Sequence, residues 1–250
     1  MLTSTERGAR TRVRVSPSPD GTRCRVRTEV TLSDPSATSL RPVLVHHDAR
    51  QALVSLVPEG ALLLAGDAIS LEVSVDAGAR LDLVEPGGTV AFDMRGGNAS
   101  WSVLVTLGPG AVLTWAGEPF VVAAGADVDR TTVLHLSAGA RLALRETLVL
   151  GRHREAPGSI RQRTDVTVAG RPVLVEDLRL DPAATAGLLG GRRVVSSVLS
   201  VGPPPAVAGP TEHRFDLDAD GTLWRRLGAQ AHEAELAAAW AAAHASTVGQ

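Results

Sequence analysis

The sequence predicts a mainly β protein, a β-helix or solenoid-like stack of strands completed by one C-terminal α-helix. Three observations carry this expectation. Four segments repeat one pattern, SVDAGARLDL, TLGPGAVLTW, HLSAGARLAL and the looser TVAGRPVLV, and their glycines Gly78, Gly110, Gly139 and Gly170 are spaced by 32, 29 and 31 residues. Around those glycines apolar residues fall at every second place, the period of a strand with one buried face. The one sustained helical pattern is AQAHEAELAAAWAAAHA, near the end of the chain. A repeat of roughly 30 residues with only β signals suits units that bury their apolar faces against one another. The same regular strands also describe a β-sandwich, and periodicity leaves both open.

Composition sets the bounds. With 250 residues, 44% hydrophobic and 21% charged, the chain reads as a single soluble β-rich domain over 1–250. Its repeated strand body spans 1–181, and an irregular segment, a hairpin and the helix occupy 182–250. No run approaches the roughly 18 apolar residues of a membrane span, and a net charge of −2 gives no clustered basic excess for nucleic acid. All 25 basic residues are arginine. Without lysine there is no Schiff base and no phosphate-loop lysine, which excludes P-loop NTPases and pyridoxal enzymes. The single cysteine, Cys24, excludes an intramolecular disulfide and reads as a small core residue. The opening MLTSTERGARTRVRV lacks an apolar stretch, so a cytoplasmic setting is expected.

The elements follow in order. Residues 11–32 alternate around a Pro/Asp/Gly turn at 17–21 and predict a hairpin, with Val13 and Val15 inward and Cys24, Val26, Thr28 and Val30 opposite them. PVLVHHDARQALVSLVP predicts a strand, and each glycine repeat a strand, a tight turn and a returning strand. Beyond 182 the chain is rich in Gly, Pro and Ala, with VVSSVLSV as one further strand and prolines at 203–205 interrupting regular structure. FDLDADGTLWRRLG predicts a hairpin turning at Ala219 to Gly221; its acidic run lacks the Glu of a calcium loop, since Leu227 stands at the twelfth position. In the terminal helix Leu236 and Trp240 share one face, which predicts docking by that stripe.

Chemistry-bearing motifs are few. GxSxG, HExxH and GxGxxG are absent. His46 and His47 sit next to Asp48, but adjacent strand residues point to opposite faces and do not chelate together. His135 alternates with Leu134 and Leu136 and is a candidate for the interior. Among carboxylates, Asp67 precedes a strand, Glu118 follows Trp115, and Glu146 and Glu176 stand in apolar strand registers, Glu146 with Leu142, Leu144 and Leu148, and Glu176 with Leu174 and Leu178. A carboxylate on such a face needs an arginine to remain charged. Arg145 points away from Glu146, which leaves Arg161 or Arg163 as the expected partners.

The order of these segments resembles the UreD (UreH) family of urease accessory proteins. The resemblance runs from about residue 44 to 181 and is strongest in ARLALRETLVLGRHREAPGSIRQRTDVTVAGRPVLVEDLRL, supported by AVLTWAGEPFVVAAGA and AGDAISLEVSVDAGARLDLVEPGG. VPEGALLLAGD and PGGTVAFDMR depart from the family pattern, the latter lacking its lysine and tyrosine. The resemblance implies a β-helical, non-enzymatic chaperone that binds urease apoprotein and a UreF-like partner and so recruits a UreG-like GTPase, with room for a homodimer within that complex. It further implies no permanently bound cofactor, only transient nickel passing through an internal tunnel, for which Asp67, Glu146 and Glu176 match the family's acidic positions. Two other readings stay open: a β-solenoid enzyme acting on polysaccharide through paired carboxylates, disfavoured by the absence of tyrosine and an aromatic content of 3%, and a purely structural solenoid.

Overall fold

The computed structural model describes residues 6–18, 21–202 and 210–248. The prolines at 203–205 and part of the first turn lie outside the described residues.

Two β-sheets wind around a shared core. The first has the order β14 (Arg171–Leu180), β13 (Ser159–Val168), β11 (Asp127–Leu136), β8 (Ala99–Leu107), β5 (Asp67–Val75), β1 (Arg7–Ser16) and β2 (Arg25–Leu32). The second runs β16 (Arg214–Leu217), β17 (Gly221–Gly228), β15 (Val194–Val201), β12 (Arg141–Leu150), β9 (Val112–Ala116), β6 (Arg80–Val84), β4 (Gln51–Pro58) and β3 (Leu40–His47). From β4 to β13 the chain winds from one sheet to the other and back, and each strand lies parallel to its equivalent one coil earlier. That parallel stacking makes the architecture a solenoid. Antiparallel strands close both ends, β2 and β3 at one and β14, β15 and β17 at the other.

The repeat has a physical origin in register. Ser70 pairs with Ser102, 32 residues on, Ser102 with Thr131, 29 on, and Thr131 with Arg163, 32 on, so the coil lengths track the glycine spacing. Gly78, Gly110 and Gly139 take φ of 70°, 66° and 75° at the corners where the chain leaves the first sheet for the second. The turns therefore join strands of different sheets, whereas the sequence pattern predicts a strand returning beside its predecessor. The fourth copy does return: Ala169 and Gly170 both adopt positive φ and close an antiparallel β13–β14 hairpin within the first sheet.

Alternation fills the space between the sheets. Val13, Val15, Ile69, Leu71, Val73, Leu81, Leu83, Val105, Leu113, Leu134 and Leu142 are all buried there, each removed from water at roughly 25 cal/mol per Å² of apolar area. Cys24 is buried as expected, but β2, which follows it, is mostly open: Val30 is exposed because β2 is an edge strand that overhangs the core. The predicted single strand at 42–58 is a hairpin, turned by Asp48, whose carboxylate accepts from the backbone N–H groups of Arg50 and Gln51 at 2.9 Å each.

Beyond 181 the chain extends the second sheet. A short helix α1 (Pro182–Leu189), capped by Asp181 Oδ1 accepting from Ala184 N at 2.7 Å, occupies part of the segment expected to be irregular. β15 is buried on both faces because the C-terminal helix α2 (Ala237–Val248) lies over its outer side. The predicted terminal helix is divided, with a 3₁₀ turn at Ala231–Ala234 preceding α2. Ala239 and Ala243 pack on Ala143, Val198 and Trp224, with Leu236 and Trp240 at the margin of that contact. Arg80 and Arg141, two coils apart on the outer face, donate to the terminal carbonyls of α2 at Thr247 and Ser246, 3.4 Å each.

Candidate functional site

One register of the solenoid is polar in an otherwise apolar interior. Val84, Ala116 and Arg145 are ladder partners in successive coils, so the residues that follow them, Glu85, Gly117 and Glu146, stack along the solenoid axis. Glu146 is paired with Ser197 on β15, and Ser197 with Arg225 on β17. The facing positions of the first sheet are Arg130, Gln162, Thr164 and Glu176, themselves ladder neighbours. Strand alternation turns each of these side chains inward, and the ladder lines them up in a row that runs across the strands.

Two ion pairs bridge the sheets along this row. Arg130 donates from Nη2 to Glu146 Oε1 at 2.5 Å and from Nη1 to Gln162 Oε1 at 3.1 Å, with its guanidinium 5.0 Å from the Phe120 ring centre. Arg225 grips both carboxylate oxygens of Glu176, with Nη2 2.9 Å from Oε2, and donates to Ser197 Oγ at 3.0 Å. Arg130 was not anticipated. The expected partners, Arg161 and Arg163, stand on the outer face of the first sheet and pair with Asp177 and Asp129, because odd-numbered residues of β13 point away from the core.

A third carboxylate, Glu85, also escaped the sequence reading. Its Oε1 accepts from Trp115 Nε1 at 2.8 Å and its Oε2 from Glu118 N at 3.0 Å. Burial holds its carboxyl above the ordinary glutamate range, opposed by those two N–H groups and by the positive charge of Arg130. The signal was present: RLDLVE places Glu85 in register with Leu81 and Leu83, the same pattern that singles out Glu146.

Small cavities follow the row. One of about 30 Å³ is bounded by Glu85, Trp115, Arg130 and Glu146, and a second of about 20 Å³ by Glu146, Gln162, Glu176 and Arg225. A third of about 10 Å³ lies beyond Glu85, beside Leu40 and Trp101. Neighbouring cavities share walls, Leu144 and Glu146 between the first two, and Glu85, Thr89 and Trp101 between the first and third. The larger two have room for about one water each. Arg130 Nε is buried without a hydrogen-bond partner among the described residues. Gly117 lets β9 and β12 approach closely at this register: its N–H donates to Arg145 O at 3.1 Å, and a Cβ there would come within 2.6 Å of that oxygen.

The remaining candidates lie elsewhere. Asp67 is buried at the start of β5, where it accepts from Arg7 Nη2 at 2.6 Å and Leu64 N at 2.7 Å, a clamp on the corner of the first coil that lines none of these cavities. His135 faces outward and contacts Thr167 Oγ1 at 3.0 Å, correcting its expected interior position; Leu134 and Leu136 take the inward places. His47 Nδ1 lies 3.0 Å from Cys24 O. Among the described residues no three His, Cys, Asp or Glu side chains converge to hold a metal ion, and no helix is long and apolar enough to cross a membrane.

The site is thus an axial row of carboxylates inside a β-solenoid, two of them paired with arginine. The chain belongs to the UreD family of urease accessory proteins, whose family model, "UreD urease accessory protein", matches residues 9–249. It is 47% identical over 203 residues to urease accessory protein UreD 1 of Streptomyces griseus, covering 79% of this chain and 78% of the relative. It is also similar to UreD 3 of the same organism, 35% identical over 198 residues with 73% and 77% covered, and to UreD of Frankia casuarinae, 35% identical over 237 residues with 84% and 74% covered.

Proposed function

We propose that this protein is a urease maturation scaffold of the cytoplasm. It binds urease apoprotein together with a UreF-like helical partner and a UreG-like GTPase, as one or two copies per assembly, and passes nickel to the apoprotein along its interior polar row. The observation that carries this reading is the continuous line of Glu85, Glu146 and Glu176 with their shared cavities, in a chain whose relatives are named urease accessory proteins. Carboxylate and water oxygens suit weak, exchangeable coordination of a first-row divalent ion, and nothing along the row assembles a tight chelate. Nickel is cargo here and no resident cofactor is involved. Glu146 and Glu176 keep the roles expected of them, Glu85 joins them, and Asp67 is assigned to the corner clamp.

The test is reconstitution of urease with purified accessory proteins carrying Glu146→Gln and Glu176→Gln together. Urease activation should fall at least several-fold while the accessory complex still forms on gel filtration. Full activation by an assembled, folded double variant would sink the conduction reading. Failure of the wild-type chain to capture urease subunits or a UreF-like protein from its host would sink the scaffold reading.

A further inference from the structure

The second sheet is broken beside the interior row. β12 pairs with β9 as far as Arg145 and resumes at Leu148 with the short strand β10 (Phe120–Val122). Glu146 and Thr147 therefore face no strand on that side, and residues 117–119 span the gap between β9 and β10. Outside the break lies a groove of about 450 Å³ beneath the start of α2, lined by Glu118, Arg145, Thr147, His232, Glu235 and Trp240. The groove and the cavity between Glu85 and Glu146 share Gly117, Glu118, Arg145 and Thr147 as walls.

One side chain bridges the break. Arg145 donates from Nε to Gly117 O and from Nη2 to Glu118 Oε1, both at 3.3 Å, and its guanidinium stands 5.5 Å from the Trp240 ring centre. Both hydrogen bonds are long, and the Arg145 and Glu118 side chains are 34% and 39% exposed, so water competes for every contact that holds the guanidinium in place.

We propose that this break is a lateral mouth through which a divalent cation, shedding most of its waters, passes between the groove and the interior row, with Arg145 as its gate. The identity of the cation rests on the conduction reading above; the opening rests on the geometry alone. Glu118, Glu235 and the imidazole of His232 give the groove oxygen and nitrogen donors of the kind such an ion prefers. They do not converge into a chelate, so the groove attracts an ion without retaining it. In its present position the Arg145 charge repels a cation from the gap. Releasing Gly117 O and Glu118 lets the guanidinium carry that charge away from the gap.

The test places a reporter inside. In the full-length chain with Cys24→Ser, a Thr89→Cys substitution puts a thiol in the wall beside Glu85. Its rate of reaction with aminoethyl methanethiosulfonate, a small cationic reagent, is followed by mass spectrometry. Removing the gate charge with Arg145→Ala should raise that rate about ten-fold, the lower end of what a fixed charge does to local ion access. Thr147→Trp, which fills the shared wall, should lower it. Leu144→Cys lines the same cavity and serves if the Thr89 variant does not fold. Equal rates with and without the gate and the plug would overturn the mouth. If the carboxylate variants lose urease activation while these rates stay equal, conduction stands and the lateral mouth is removed.

Discussion

The Arg130–Glu146 pair offers a perturbation that separates architecture from passage. The two side chains are only 11% and 19% exposed, so neither is well solvated when its partner is lost. Removing one member of such a pair strands the other charge, at a cost of about 3–5 kcal/mol when burial is complete. The remaining exposure places Arg130→Met near the lower end, about 3 kcal/mol, including its lost contacts with Gln162 and Phe120. For a chain of this size that corresponds to a fall in melting temperature of about 6–12 °C. The double variant Arg130→Met with Glu146→Leu replaces both charges with apolar groups beside Leu144 and Leu148, and should return to within about 1 kcal/mol of the wild type. Urea denaturation of the four proteins gives the coupling energy, expected at about 2 kcal/mol or more. Under the conduction reading the double variant regains stability without regaining urease activation. A double variant as unstable as Arg130→Met would refute the stranded-charge reasoning, and one that activates urease normally would show that the row is dispensable.

Two further outcomes follow from the same contacts. Glu85 is held protonated more firmly in the folded chain than in the unfolded one, so its contribution to stability is fully present below the ordinary glutamate value of 4.5 and is lost as pH rises through its raised value. The stability of Glu85→Gln relative to wild type should therefore climb across that interval, and urea midpoints that keep a constant difference from pH 4.5 to 8 would contradict it. Asp67→Ala leaves the Leu64 N–H and Arg7 Nε without their acceptor, with Arg7 Nη2 keeping only Ala65 O, and should destabilise the fold by about 2–3 kcal/mol; Asp67→Asn, which retains an acceptor, should recover part of that loss, with urease activation tracking the amount of folded protein. A loss of activation in fully folded Asp67→Asn would place Asp67 on the path after all.

What the sequence made legible was periodic. The glycine spacing revealed the coil, and alternation correctly turned Glu146 and Glu176 inward with their leucines. Alternation alone gives a face, however, and not a position along the axis. The row exists because Glu85, Gly117 and Glu146 share a register, a property of the stacked ladder and not of any one strand. Carrying Glu85 forward by the coil lengths of 32 and 29 residues lands on Gly117 and then Glu146, so the equivalence was encoded, but only for a reader who already took the glycine turns as crossings between sheets. Arg130 was invisible for another reason. It lies on the facing sheet, 16 residues from Glu146, and its approach depends on the distance between sheets.

Pairing Glu146 and Glu176 each with an arginine has a consequence for what the row can hold. At about 5 Å and an effective dielectric of about 20, a divalent ion gains about 7 kcal/mol from one carboxylate and loses about as much to one guanidinium. Beside Glu146 with Arg130 engaged, the two nearly cancel, which leaves little net attraction to offset the ion's lost hydration. A row of unpaired carboxylates would bind the ion deeply and release it slowly. It would also be hard to maintain, since burial favours the protonated acid, as it does at Glu85 where no arginine makes direct contact. Pairing with Arg130 and Arg225 stops Glu146 and Glu176 from becoming a trap. Under the conduction reading, an interior built this way suits an ion in transit, and the same balance accords with the absence, among the described residues, of three convergent His, Cys, Asp or Glu side chains.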